Sequence, residues 1–109
     1  MKYLLFSESE NIAVTPLILK NSIFICDEEE FLELKDDFKE IDGLDFLSKP
    51  FGMICKIMEA RKLDWFIEQI TLLKEIKSNS NIKKAIYDKM IITAQEFNLK
   101  NISLIITGD

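Results

Sequence analysis

Apolar positions in this chain follow two rhythms. Near each end they run almost unbroken, as Tyr3-Leu4-Leu5-Phe6 and as Ile102-Ser103-Leu104-Ile105-Ile106-Thr107. Short runs of aromatic and branched residues bounded by polar clusters read as strands. Ser22-Ile23-Phe24-Ile25-Cys26 is a third such run. Between these, apolar residues recur at spacings of three and four, the period of a helix buried along one stripe. Phe31, Leu34, Phe38 and Ile41 form one stripe. Asp27 precedes it as an N-cap, and Glu30 stands where a capping box needs it. Gly43 ends that helix.

A longer helical pattern is expected from Phe51 to about Ile76, as one helix or as two that divide near Lys62-Leu63-Asp64. Pro50 suits its first position. Ile54, Met58 and Trp65 mark one side, and Leu63, Ile67 and Ile70 another. Ser78-Asn79-Ser80-Asn81 is a loop whose Ser80 or Asn81 caps a last helix carrying Ile82, Ala85, Ile86, Met90, Thr93 and Phe97. Residues 11–20 admit two readings. Pro16 after Thr15 fits a short helix, and the same stretch fits an edge strand turning at Lys20-Asn21.

Two apolar terminal strands need partners, because an unpaired apolar edge invites aggregation. The expected architecture is therefore α/β: a small, mostly parallel sheet of three or four strands that includes both termini and is covered by helices. Residues 1–109 would make one domain. The nearly continuous apolar strands suit a sheet covered on both faces.

Composition narrows the class without naming a reaction. The chain is 48% hydrophobic and 30% charged, with 3 Gly and 2 Pro, a globular balance with little room for disorder. The early polar cluster Ser7-Glu8-Ser9-Glu10 cuts the first apolar stretch too short for a signal peptide, and no run is long enough to span a membrane. Cys26 and Cys55 are too few for a disulfide scaffold and read as small core residues. The expected setting is the cytoplasm. The sequence holds 0 His, which removes the usual general base and the Ser-His and Cys-His nucleophile pairs.

Charge divides the chain. Residues 1–55 hold five lysines against twelve acids, and residues 56–109 hold nine bases against seven acids, so a strongly acidic half precedes a mildly basic one. A chain with net charge −5 is a poor default binder of phosphates. Lys74, Lys77, Lys83 and Lys84 bracket one loop and could form a patch, which keeps nucleic-acid binding by the helical half as a weaker alternative.

Acidic residues follow each strand: Glu8 after the first, Asp27 after the second, Asp109 after the last. In a parallel sheet all three would meet at one edge, where open α/β sheets bind ligands, and could hold Mg²⁺ against a phosphate. That is the enzymatic alternative, a metal-dependent phosphate- or nucleotide-handling enzyme. Capping, the helix dipole and loop solvation account for the same residues without a site. The stretch Gly43-Leu44-Asp45-Phe46-Leu47-Ser48-Lys49-Pro50-Phe51 resembles the end of a bacterial receiver domain, where a Lys-Pro pair follows a strand. The likeness would give Lys49 a phosphoryl contact. It covers these residues only: no acidic pair follows Phe6, and too little chain lies before Lys49 for the family's other strands and phosphoacceptor.

Around Leu63-Trp65-Phe66-Ile67 the apolar surface is nearly all round, more than one buried stripe requires. Arg61, Trp65, Phe66, Ile67 and Ile70 are the residue types that anchor interfaces, so a two-fold seam in the 51–77 region is expected. The leading expectation is a non-enzymatic interaction module without metal or cofactor. It would be a homodimer whose acidic face over residues 27–45 meets a basic protein partner.

Overall fold

A computed structural model describes residues 2–10 and 18–108 of the chain. Four strands form one sheet: β1 (Tyr3–Glu10), β2 (Ile18–Asp27), β3 (Cys55–Met58) and β4 (Leu104–Gly108). Their order is β2-β1-β4-β3, and every neighbouring pair is antiparallel. The expectation of a mostly parallel sheet is therefore overturned, for reasons of chain length and helix number. Only residues 11–17 separate β1 from β2, and a parallel crossover needs about a dozen residues or more. Between β3 and β4 run two helices, α2 (Leu63–Lys77) and α3 (Asn81–Leu99). One helix would return the chain for a parallel strand; a helical hairpin brings it back for an antiparallel one.

Residues 18–20 belong to β2. β2 runs on through Lys20-Asn21, so neither a helix over 18–20 nor the turn expected at Lys20-Asn21 is formed. The rest of the segment considered for residues 11–20, with Thr15 and Pro16, lies outside the described residues, as does Asp109. β2 carries extra residues opposite Leu4/Leu5 and Phe6/Glu8, and Asn21 at the second irregularity has φ of 48°. Such bulges twist an edge strand away from further pairing.

The register places Leu4, Phe6, Leu104, Ile106 and Met58 on one face. All five are buried, and Phe6 meets Phe66 of α2 at 6.0 Å between ring centroids. The helical hairpin supplies Leu63, Phe66, Ile70, Leu73, Ile86, Tyr87, Met90, Ala94 and Phe97 to the same core. Ser7 and Ile105 lie on the opposite face and are also buried.

Local signals set the helix ends. Asp27 caps α1 (Glu28–Leu32) through a complete capping box: the Glu30 N–H donates to Asp27 at 2.8 Å and the Asp27 N–H donates to Glu30 at 3.1 Å. Past Leu32 the chain tightens into 3₁₀ turns at Lys35–Glu40 and Asp45–Ser48, while Phe31, Leu34 and Phe38 stay buried as their spacing predicts. Ser80 caps α3 by accepting from the Lys83 N–H at 3.2 Å. α3 ends with Asn101 at φ of 56°, the Ile102 N–H reaching the Phe97 carbonyl and the Asn101 N–H that of Asn98. This is the Schellman pattern with Asn in the left-handed position.

Residues 51–62, expected to be helical, are not. They form a 3₁₀ turn at Phe51–Met53, the edge strand β3, and a second 3₁₀ turn at Ala60–Lys62. Lys49-Pro50 follows a 3₁₀ turn, not the strand that a receiver-like ending requires. Among the described residues no helix is long and apolar enough to cross a membrane.

Candidate functional site

The antiparallel sheet separates the carboxylates proposed for metal chemistry. Tyr3 faces Asp27 at one end of β1, and Glu8 lies five residues along the strand, roughly 17 Å away at the usual rise. Gly108 pairs with Leu4, so the end of β4 neighbours Asp27 and not Glu8. Asp27 and Glu30 are already engaged in their capping box. Among the described residues no three His, Cys, Asp or Glu side chains gather as a metal site. Cys26 is buried, and burial, then Glu30 and Asp27, push its thiol up to about 12, which keeps it protonated. Cys55, expected in the core, is exposed on β3.

Of the four lysines that bracket the α2–α3 loop, Lys84 is exposed and the other three are paired within the chain. Lys74 pairs with Asp88, Lys77 with Glu40 at 2.9 Å, and Lys83 with Asp37 at 3.1 Å. The acidic stretch and the basic hairpin therefore neutralise each other in part within the chain. Glu29, Glu33, Asp36, Asp42 and Asp45 remain exposed.

The five residues expected to form a seam divide between two environments. Phe66 and Ile70 are fully buried, and Ile67 packs partly against the core. Trp65 is 36% exposed. Arg61 is exposed and bonded to Glu59, whose carboxyl that bond holds below its usual range.

Trp65 instead helps line a groove of about 520 Å³ with Gly43, Lys56, Ile57, Met58, Glu59 and Lys62. Gly43 shapes its far wall. It sits at φ of 91°, and a Cβ there would lie 2.9 Å from Trp65 Cη2, so the indole rests against bare backbone. Met58 is buried, while Ile57 is 42% exposed. The Lys56 ammonium stands 5.9 Å from the Phe46 ring centroid, within cation–π range.

Four consecutive lining residues, 56 to 59, include the outer edge of the sheet. The Gly108 N–H donates to the Ile54 carbonyl at 3.0 Å, and the Ala60 N–H donates to Ser103 Oγ at 3.2 Å. Main-chain groups alternate sides along an antiparallel strand. Even-numbered residues of β3 thus face β4, and the N–H and C=O of Cys55 and Ile57 point outward. β3 went unread in the sequence because Ile54 and Met58, four apart, satisfy a period of two as well as one near 3.6. The signal available was the cluster Ile54, Ile57 and Met58 behind Pro50 and Gly52.

Searched against protein families, curated proteins and solved structures, the chain gives no match.

Proposed function

We propose that the chain is a non-catalytic protein-interaction module that receives an extended segment of a partner as a fifth strand on β3. The observation that carries this reading is the outward-facing main chain of Cys55 and Ile57 beside a groove walled by Trp65. Strand addition draws affinity from main-chain hydrogen bonds and specificity from pockets for alternate side chains. The exposed edge supplies the first, and the Trp65 groove supplies the second. The metal-site alternative is weakened because Glu8 lies five residues along β1 from Tyr3, the partner of Asp27. A cytoplasmic setting, with Cys26 and Cys55 reduced, belongs to the same reading.

Ile57→Pro tests it. The substitution removes one outward N–H and leaves the hydrogen bonds to β4 in place, a position where an edge strand tolerates proline. Peptides selected from a random display library on the wild-type chain should lose binding to Ile57→Pro while its circular dichroism is unchanged. Peptides that bind both proteins alike would sink the reading. Self-association through the helical seam expected in residues 51–77 is a separate reading, and sedimentation velocity as a function of concentration tests it.

A further inference from the structure

We infer that the segment received by β3 is acidic, with an apolar or aromatic side chain two residues from its carboxylate. This rests on the strand-addition reading and specifies the partner.

The chain as a whole carries net charge −5, yet the groove beside β3 has the opposite sign. Its acid, Glu59, is taken by Arg61. Lys56 and Lys62, both exposed, have no ion pair among the described residues. Charges farther off than about 8 Å are screened at physiological salt. Exposed Asp42 and Asp45 adjoin Gly43 and Phe46 in sequence but do not line the groove, whereas Lys56 and Lys62 do. A docked segment thus meets the two lysines first, and an acidic segment is favoured despite the overall charge.

Register refines the match. Lys56 and Met58 lie on the face of β3 that carries Ile106 and Leu104, and Ile57 lies on the other. A residue added opposite Lys56 would have its Cβ about 5 Å away, close enough for an ion pair with Asp or Glu. Two residues along, the same face of the added strand meets Met58 and the Trp65 wall, which suits an apolar or aromatic side chain. The residue between them falls opposite Ile57, where a β-branched side chain pairs best. A second copy of this chain fits less well. Two-fold pairing about Ile57 would set the two Lys56 side chains on one diagonal of the same face, about 7–8 Å apart, with no acid between them.

Trp65 is the only tryptophan, so its fluorescence reports on this groove. Three end-blocked peptides without Trp or Tyr, sharing one alternation of Val and Phe, would carry Glu, Gln or Lys at the positions facing Lys56 and Lys62. Against the wild type the affinities should fall in the order Glu, Gln, Lys, by up to about fivefold for each lysine contact. In the Lys56→Glu/Lys62→Glu variant the order should reverse. Gln and Glu peptides binding alike would overturn the acidic inference and leave strand addition standing. Failure of every peptide would overturn strand addition itself. A dimer of the wild type that Ile57→Pro abolishes would assign the edge to a second copy and overturn the acidic partner. The Glu peptide N-methylated at its central amide tests the backbone contact without altering the protein, and retained affinity would again exclude strand addition.

Discussion

Tyr87 donates a 2.8 Å hydrogen bond from Oη to Asp37 Oδ2, fifty residues away in sequence. Lys83 Nζ reaches the same oxygen at 3.1 Å, and the Asp37 and Lys83 side chains are both only 13% exposed. The 3₁₀ turn at Lys35–Glu40 is thereby fastened to the middle of α3. With Phe31 and Phe38 stacked beneath it at 5.7 Å, this clamp fixes the path of the whole acidic stretch.

Removing the acceptor should cost more than removing either donor. Asp37→Ala leaves a buried phenol and a nearly buried ammonium without a partner, and about 3 kcal/mol of stability should be lost. Tyr87→Phe deletes one bond to a charged acceptor and should cost about 1.5 kcal/mol. In the double variant the two losses should fall short of their sum, because both report one contact. Urea denaturation measures all three; full additivity would mean the Tyr87–Asp37 bond is not made.

Alkaline pH should expose the Cys26 thiol as a stabilising group. Burial, then Glu30 and Asp27, raise it from 9.0 to about 12 in the folded chain. Below about pH 9 folded and unfolded chains both hold the proton and the contribution is complete. Between about 9 and 12 the unfolded chain releases it first, so stability falls as pH rises, by at most about 4 kcal/mol. Cys26→Ala should flatten that fall. A residual slope above about pH 10 would remain from Tyr87, whose phenol is pushed up by burial and by its bond to Asp37. Native protein should titrate one fast thiol, Cys55, and denatured protein two. A wild type and a Cys26→Ala variant with parallel pH profiles would refute the assignment.

What the sequence could disclose depended on the range of each interaction. The capping box at Asp27 and Glu30 and the cap at Ser80 involve residues three apart, and both were legible. The buried stripe Phe31, Leu34, Phe38 was legible too, although the backbone under it changes from α to 3₁₀. Strand direction was not, because it depends on how many helices return the chain between β3 and β4. β3 itself exists only through its pairing with β4, some fifty residues later. The pairs Asp37–Lys83 and Glu40–Lys77 likewise join segments that look, in sequence, like a free acidic face and a free basic patch. The surplus of apolar surface around Trp65 was visible, but α2 alone could not show that Phe66 and Ile70 turn inward while Trp65 meets Gly43.

Gly43→Ala should be costly for two separable reasons. The position is at φ of 91°, and the new methyl would meet Trp65 Cη2 at 2.9 Å. The combined cost should be about 2–3 kcal/mol. In a Trp65→Ala background the steric part disappears and about 1 kcal/mol should remain for the left-handed backbone. Thermal or urea unfolding of the four proteins closes the cycle. An unchanged cost in the Trp65→Ala background would show that the indole does not rest on Gly43.

Trp65 and Phe66, neighbours on α2, should behave as residues of different kinds. Phe66 is fully buried and meets Phe6 across the core, so Phe66→Ala should cost about 3–5 kcal/mol. Trp65, 36% exposed, has solvent and the groove on one side, and Trp65→Ala should cost only about 1–2 kcal/mol. A large aromatic side chain that contributes little to folding while walling a groove beside an open strand edge is better explained by what docks there. Binding of the acidic peptide should therefore fall severalfold in Trp65→Ala, where the fold survives intact. If urea midpoints show the two substitutions equally damaging, Trp65 belongs to the core and the groove loses its anchor.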